Sequence, residues 1–319
     1  MPRHQLWLGP LAILAVTVVW GILITTGTRA GAAAWFLFPV VLPLIGLVTL
    51  VAVLVSMLRR RSPWQHGLPI MLVSIVALYP LSWFPLNQPF GLPTPPDRVK
   101  PAAHVRVPAD VPMLVLHGGH SLRTNYHATM PESRWAYDLS VQPHPDYTTT
   151  PDLKLEDYGC WGTEIVAPAS GRVLIAHDGE PDHPPGTPWS MAYPPDMGNY
   201  VVIEIAGGTV LLLGHLQRGS VQVSTGDTVV EGAVIGRCGN SGNAVAPHLH
   251  IEHQPEMRSS ERRTPFHVSL PLFFRDHGGD RMPAGGWQRD SAGVRIWVGA
   301  VITHSGDQAA VNPENKGGS

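Results

Sequence analysis

The sequence predicts an all-β domain, folded as a compact antiparallel sheet or sandwich, behind an N-terminal α-helical transmembrane segment. Three observations predict this organisation. Long uncharged apolar runs occupy residues 1–86, a proline-rich stretch occupies residues 87–112, and beyond it short apolar runs alternate with period two and are broken by glycine. Helical and strand-like patterns therefore occupy separate parts of the chain, and its 319 residues are enough for about two domains.

Charge is divided in the same way. The chain has 22 basic and 24 acidic residues and a net charge of -2. Residues 1–86 contain five arginines and no acidic residue, which leaves 17 basic against 24 acidic residues for the rest of the chain. An acidic domain of this kind has no basic surplus with which to bind phosphate backbones, which argues against nucleic acid as a partner.

The N-terminal region predicts three transmembrane helices. Residues 6–26 and 32–58 contain no charged side chain, and each run is long enough to cross about 30 Å of hydrocarbon. A third run, residues 67–86, is just long enough and contains Pro69, Pro80 and Pro85. A cleaved signal peptide is the alternative for the first run, although its apolar core is long for one.

Positive charges predict the orientation of this multi-pass anchor. The triplet Arg59, Arg60 and Arg61 marks the second loop as cytoplasmic, and Arg3 agrees with an inside N-terminus. Three spans then place everything after residue 86 on the outer, periplasmic or extracellular, face of the cytoplasmic membrane. The lipid bilayer is thus one expected partner, and a regulatory membrane partner remains unidentified.

The remaining residues divide into a linker, a domain and a tail. Seven prolines in residues 87–112 predict a semi-rigid polyproline II spacer. The domain is predicted over residues 113–277, with a glycine-rich tail at residues 278–319 that contains one candidate strand at residues 294–301. Period-two patterns predict strands at residues 113–116, 135–141, 164–167, 172–176, 200–205, 209–213, 221–223, 234–237, 248–253 and 266–270.

The chemistry is concentrated in one strand. In His248-Leu249-His250 the two imidazoles project from the same face of a strand, about 6.6 Å apart, while Leu249 points to the core. One histidine can then bind a metal while the other acts on the metal's water. Two solvent-facing histidines on an edge strand are the alternative.

The surrounding motifs resemble those of a known family. Gly214-His215-Leu216, Gly226-Asp227, Gly239-Asn240-Ser241-Gly242 and Pro247-His248-Leu249-His250-Ile251-Glu252 follow one another in order. Together they resemble the lysostaphin-type, or LytM-like, zinc metallopeptidases, which cleave peptide bonds in peptidoglycan. The segment 167–173 also looks like that family's first core hairpin. The resemblance extends over about residues 125–252.

This resemblance implies a zinc site and two further histidines. In the family, a His and an Asp from an early segment bind zinc together with the second His of the H-x-H triplet, which here is His250. The first His of the triplet and the His of the G-H-L segment act on water and on the developing oxyanion, and they match His248 and His215. Two nitrogens, one carboxylate oxygen and an open position suit one catalytic Zn²⁺.

The early segment departs from the family pattern, in which three residues separate His and Asp. The best candidates are His127 and Asp138, with ten residues between them. We interpret residues 128–134 as a loop insertion. His117 or His120 as the nitrogen ligand, or a damaged site, are the alternatives.

Two further pairs of residues carry predictions. Cys160 and Cys238 are the two cysteines, and outside the cytoplasm they are expected to form a disulfide, with two buried thiols as the alternative. Asn240 and Ser241 are candidates to line the substrate groove, although turn chemistry alone explains Asn, Gly and Ser at such a place.

The resemblance therefore predicts a membrane-anchored zinc metalloendopeptidase that hydrolyses the peptide cross-links of peptidoglycan during cell-wall remodelling. A non-catalytic peptidoglycan-binding or hydrolase-activating module on the same fold is the first alternative. A signalling or transport protein is the second, but no acidic or basic side chain lies inside the apolar runs to mark a pathway.

Overall fold

The structure is a computed structural model that describes residues 8–59, 64–78, 92–150, 152–188, 196–255 and 267–306. These residues form two compact units. Helices make up the first unit, which includes Met1–Arg98, and strands make up the second.

Three helices form the helical unit: α1 (Leu8–Leu23), α2 (Arg29–Leu58) and α3 (Trp64–Ala77). Thr28 caps α2, since its hydroxyl accepts a hydrogen bond from the backbone N–H of Gly31. Gly46 lets α2 approach α3 closely, because a Cβ at this position would lie 2.8 Å from the carbonyl oxygen of Ser74.

One described helix, α2, is long and apolar enough to cross a membrane. The helices of the first and third predicted spans are shorter, with 16 residues in α1 and 14 in α3. Residues 79–91, which include the end of the third predicted span, lie outside the described residues. By length and composition α2 fits a membrane anchor or a signal sequence, and the three-span topology and its orientation stay predictions of the sequence.

An antiparallel sheet of eight strands dominates the β unit, in the order β14-β2-β3-β10-β7-β6-β5-β8. Its strands are β2 (Met113–His117), β3 (Tyr137–Ser140), β5 (Gly171–His177), β6 (Asn199–Glu204), β7 (Val210–Leu216), β8 (Thr228–Val229), β10 (Leu249–Gln254) and β14 (Val301–Ile302). Three small sheets pair β1 (Ala103–Val105) with β11 (Leu272–Phe274), β4 (Glu164–Val166) with β9 (Val234–Arg237), and β12 (Trp287–Arg289) with β13 (Arg295–Trp297). The predicted β class is confirmed.

Apolar residues cover both faces at the centre of the main sheet. Val201, Ile203 and Leu213 are fully buried on β6 and β7, while Val202 and Leu212 pack in a second cluster. Burial on both faces explains the near-continuous apolar runs of these two strands. The centre of the sheet thus provides a rigid support for the residues at the ends of its strands.

The predicted linker differs from the structure in its second half. Residues 103–105 form β1, which pairs in parallel with β11, and Val105 and Val107 are buried. Each ladder hydrogen bond and buried valine fixes the segment against the β unit, so this part of the chain is not a free spacer. Residues 87–91 lie outside the described part of the chain.

Two predicted strands are wrong and one region contains more structure than expected. Residues 221–223 form no strand, because one isolated hydrogen bond from Gln222 to Ile235 replaces a ladder. The second wrong strand is that predicted at residues 266–270. In the described part of this segment, Leu270 makes a single bridge to His253, and the strand β11 begins two residues later, at Leu272. Phe266 lies outside the described residues. The predicted tail contributes the β12–β13 hairpin and the edge strand β14.

Candidate metal centre

Three elements bring His127, Asp138 and His250 together. His127 lies in a 3-10 turn at Tyr126–Thr129 between β2 and β3, Asp138 lies in β3, and His250 lies in β10 directly opposite Asp138. Residues opposite one another in an antiparallel pair project from the same face. The strand pairing therefore places Asp138 against His250, and the turn brings His127 to both.

Asn125 holds the turn, a role that the sequence pattern did not reveal. Its side-chain amide donates hydrogen bonds to the carbonyl oxygens of Gly119 (3.0 Å) and Ala136 (3.1 Å). Its side-chain oxygen accepts one from the backbone N–H of His127 at 3.1 Å. Asn125 is 1% exposed, and a buried Asn with all these partners locks the turn in one conformation.

The ligand atoms converge on a single carboxylate oxygen. Nε2 of His127 lies 3.1 Å and Nδ1 of His250 3.0 Å from Oδ1 of Asp138. All three ligand atoms lie within 4.8 Å of one another, and all three residues are buried. Two imidazole nitrogens and one carboxylate oxygen are a donor set that suits Zn²⁺.

The rings of His215 and His248 form the next part of the site. Their centroids are 4.8 Å apart, and His215 is 6.0 Å from the ring of His250. Nε2 of His248 lies 3.7 Å from Oδ1 of Asp138, so this edge of the ring faces the cluster. His248 itself directly precedes β10 rather than lying inside it.

Backbone carbonyls determine which nitrogen carries the proton on both rings. Nδ1 of His215 lies 2.8 Å from the carbonyl oxygen of Ser241, and Nδ1 of His248 lies 2.7 Å from that of Ala246. A carbonyl only accepts, so each Nδ1 is the N–H donor. In the neutral ring Nε2 then carries a lone pair, which is the state that a proton acceptor needs.

Burial and neighbouring charges keep these two rings neutral. Burial, together with His248 and His250, holds the pKa of His215 well below its usual value. Burial also lowers the pKa of His248, although Asp138 opposes the shift. For Asp138 burial acts in the opposite direction, but the surrounding imidazoles outweigh it and hold its pKa well below the ordinary value. The carboxylate is therefore ionised and the two rings are available as bases.

His215 has a left-handed backbone conformation, with φ of 61°. This conformation is uncommon for a residue other than glycine and costs on the order of 1 kcal/mol or more. Two backbone hydrogen bonds hold it, from its own N–H to Met197 and from Gly239 N–H to its carbonyl oxygen. Strain of this kind is concentrated at functional sites, which agrees with a role for this side chain.

Glu252 supports His250 from behind. Its Oε2 lies 3.5 Å from Nε2 of His250 and accepts a hydrogen bond from the Ser133 hydroxyl at 2.9 Å. Burial lowers the pKa of His250, but the neighbouring carboxylates of Asp138 and Glu252 exceed that effect and raise it to about 9. Glu252 follows His250 by two residues, so the period of a strand could have identified it as a neighbour.

Asn240 and Ser241 belong to the turn that follows Cys238, and their place along a substrate groove stays a prediction. Both are fully buried. The Asn240 amide donates to the carbonyl oxygen of His183 at 2.7 Å, and the Ser241 hydroxyl donates to Leu216 at 2.7 Å. Their side chains fix the turn, while the Ser241 carbonyl orients His215.

The alternative early ligands lie outside the cluster. His117 is near it, but its ring packs edge-on against Tyr126 and Trp297 at centroid distances of 4.6 and 5.3 Å. His120 is exposed. Neither belongs to the group of residues that could hold a metal.

Cys160 and Cys238 form a disulfide, with Cα atoms 5.7 Å apart. Both residues are fully buried. The bond closes a loop of 78 residues and connects the start of the β4 segment to the chain just before the Asn240 turn. It therefore supports the turn that orients His215.

The buried His/Asp cluster on adjacent strands of the main sheet could hold a metal ion, and comparison with known proteins shows which family this part of the chain resembles. Residues 156–262 match the family model described as peptidase family M23. This segment of the chain is therefore similar to M23 peptidases, and the resemblance to lysostaphin-type peptidases is confirmed. The match includes His215, His248 and His250 and begins after His127 and Asp138.

Two curated relatives are peptidoglycan DD-endopeptidases of Vibrio cholerae serotype O1. ShyC is 33% identical over 110 residues, covering 34% of this chain and 23% of the relative. ShyA is 27% identical over 134 residues, covering 42% and 28%. The chain therefore spans less than a third of the length of either. Among solved structures, the catalytic domain of lysostaphin from Staphylococcus simulans is 21% identical over 38% of this chain and 84% of that one, with a TM-score of 0.23.

Proposed function

We propose that this protein is a zinc-dependent endopeptidase of peptidoglycan, and that His127, Asp138 and His250 are its metal ligands. The observation that carries the proposal is the convergence of their three ligand atoms within 4.8 Å, fully inside the β unit. The three donors fit a divalent cation because one ionised carboxylate and two imidazole nitrogens match its charge and its preference for nitrogen and oxygen. The third side of the cluster faces the rings of His215 and His248.

A zinc ion held there would lower the pKa of a bound water to roughly 7 and polarise the scissile carbonyl. The contribution of the chain itself is the proton path. Nε2 of His248 faces the cluster with a lone pair, because Nδ1 donates to Ala246. Such a ring accepts a proton from water and, once charged, can pass it to the leaving amine.

His215 complements His248. Its Nδ1 is committed to Ser241, and its ring lies beside both His248 and His250. When protonated, it presents an N–H donor on the Nε2 side, where it can stabilise negative charge on the peptide oxygen. Both rings are neutral at rest, so each can take up a proton during the reaction rather than repel the cation.

The location of the protein is the remaining part of the proposal. We propose that α2 anchors the chain in the cytoplasmic membrane and that the β unit acts on the outer side, where peptidoglycan lies. The apolar helix and the disulfide support this, because disulfides persist in oxidising compartments. A multi-pass anchor with an inside N-terminus stays a prediction of the sequence.

The test is release of new free amino groups from purified peptidoglycan by the zinc-loaded, detergent-solubilised full chain. His215→Ala should keep one zinc per chain and lower the rate by about 10²- to 10⁴-fold, while His120→Ala, an exposed histidine, should leave both unchanged. Sequencing the released ends would identify the bond. A folded, zinc-loaded chain that releases no amino groups would instead favour the non-catalytic peptidoglycan-binding or hydrolase-activating module.

A further inference from the structure

A cavity of about 620 Å³ lies between the β12–β13 hairpin and the loop that follows β3. Leu114 of β2 lines it on one side, Asp146 of the loop on another, and Arg295 and Trp297 of β13 on a third. This volume is typical of pockets that bind small molecules or short segments of a larger ligand. The cavity lies outside the residues that match the family.

The cavity and the metal cluster are on the same face of the main sheet. Leu114 pairs with Ser140, and His117 pairs with Asp138. Asp138 and Ser140 are two residues apart in β3, so their side chains share a face, and paired residues project on the same side. A bound peptide can therefore extend from one to the other without crossing the sheet.

A continuous row of rings joins the two places. Trp297 contacts His117 at a centroid distance of 5.3 Å, His117 contacts Tyr126 at 4.6 Å, and Tyr126 contacts His127 at 4.1 Å. The ring of His144 also contacts Trp297, at a centroid distance of 5.5 Å. The β13 tryptophan is thus connected to a candidate zinc ligand through two intervening rings.

Arg295 places a positive charge in the cavity wall. Its guanidinium carbon lies 4.8 Å from the ring of Trp287 and 5.7 Å from that of Trp297, so two aromatic faces hold it. Among the described residues the Arg295 side chain forms no ion pair, and its Nε is buried without a hydrogen-bond partner.

The acidic residue of the same wall, Asp146, already accepts hydrogen bonds from within the protein. The Asp146 carboxylate accepts hydrogen bonds from the Thr148 backbone N–H (3.0 Å), the Thr148 hydroxyl (2.7 Å) and the backbone N–H of Arg295 (3.0 Å). Its charge partly offsets that of Arg295, but its oxygens are directed to these donors. The planar guanidinium consequently keeps the donors that bind a carboxylate.

We propose that this cavity is a subsite for a free carboxylate of the peptide substrate. The Arg295 guanidinium pairs with the carboxylate, and the Trp297 ring packs against the adjoining aliphatic part of the stem peptide. This proposal rests on the proposed function and specifies its substrate: an anionic stem peptide, anchored beside the scissile bond.

The test compares two substrates and two arginines. Peptidoglycan is used untreated or after its free carboxylates are converted to methylamides with carbodiimide. On untreated peptidoglycan Arg295→Gln should raise KM about tenfold, as expected for loss of a charged hydrogen-bonded pair, with kcat within about twofold and zinc content unchanged. Arg295→Lys should recover part of the loss. Arg289→Gln removes a charge from the same hairpin outside the cavity lining, and should change neither constant.

On methylamidated peptidoglycan, wild type and Arg295→Gln should have equal KM. A second measurement is independent of hydrolysis: calorimetric binding of the free tetrapeptide L-Ala-γ-D-Glu-meso-diaminopimelate-D-Ala to the full chain. Wild type should bind it about tenfold more tightly than Arg295→Gln. If the protein hydrolyses nothing but the wild type still binds the tetrapeptide more tightly than Arg295→Gln does, the proposed function is rejected and the carboxylate subsite is supported. Equal binding, or equal loss on both substrates, would overturn the subsite.

Discussion

The candidate site has two halves, and they come from different parts of the chain. His215, His248 and His250 lie within the family match; His215 and His250 come from the neighbouring strands β7 and β10, and His248 directly precedes β10. His127 and Asp138 lie before that match and come from a turn and a strand that are separated by an insertion. The matched half could be located from ordered motifs, whereas the other half depends on the fold of residues 125–138. A short motif therefore locates one part of the candidate site, and the tertiary structure brings the other part to it.

The largest expected effect is on zinc affinity, when one proposed ligand is removed from each half. Asp138→Ala and His250→Ala should each weaken zinc binding by at least about 10²-fold, because a site with two remaining ligands holds zinc poorly. Zinc content after dialysis against a weak chelator measures the effect, with His120→Ala as the matched control. If Asp138→Ala kept its zinc while His250→Ala lost it, the first half of the site would be wrongly assigned.

The disulfide tests the support of the matched half. Cys160→Ala with Cys238→Ala should lower the free energy of unfolding by about 2 to 4 kcal/mol, since the bond closes a long loop in the unfolded chain. Urea unfolding measures this difference. A reductant should destabilise the wild type and have no effect on the double variant. Equal stability of the two oxidised proteins would show that packing alone holds the turn.

Glu252 and Ser133 connect the two halves directly, because Ser133 belongs to the insertion and Glu252 to β10. Glu252→Gln should weaken zinc binding by about 10- to 100-fold, as expected when the partner of a ligating histidine is changed. Ser133→Ala should have a smaller effect in the same direction. A double-mutant cycle in zinc affinity measures the coupling, and purely additive effects would count against a bridge between the halves.

The smallest expected effect is on the pH dependence of stability and concerns His253. This residue lies on the same strand as His250 and is 1% exposed. Its ring is hydrogen-bonded to the carbonyl oxygen of Pro271 and the hydroxyl of Thr209. Burial lowers its pKa to about 4, below the unfolded value near 6.5. The unfolded chain therefore binds the proton first as pH falls. Stability should be intact above pH 6.5 and reduced by about 2 kcal/mol at pH 5 from this residue.

Urea unfolding at pH 7.5 and pH 5 checks the effect, with His253→Gln as the comparison. The variant should lose less stability between the two pH values than the wild type does. Part of the pH dependence will remain in the variant, because burial also lowers the pKa of His117 to about 4 and of His144 to about 3. An identical pH dependence in both proteins would contradict the assignment to His253.

The separation of the chain into an apolar helical part and a β part could be read from the sequence, because periodicity depends only on local geometry. The same holds for the opposite facing of Leu249 and His250, since alternation along a strand is fixed by the pleat. Ordered glycines and histidines further identified the family, because turns and ligands impose residue types at particular positions. These properties depend on residues close together in the chain, so they can be predicted from the sequence.

Only the tertiary structure decided which early histidine joins Asp138 and what surrounds the site. In the sequence, His117, His120 and His127 are all candidates for the nitrogen ligand. A buried hydrogen-bond network around Asn125 places His127 at the cluster. The pairing of residues 103–105 with β11, the burial of Asn240 and Ser241, and the position of Arg295 beside the site are equally long-range. Each depends on contacts between residues far apart in the chain, whose energies no local pattern records.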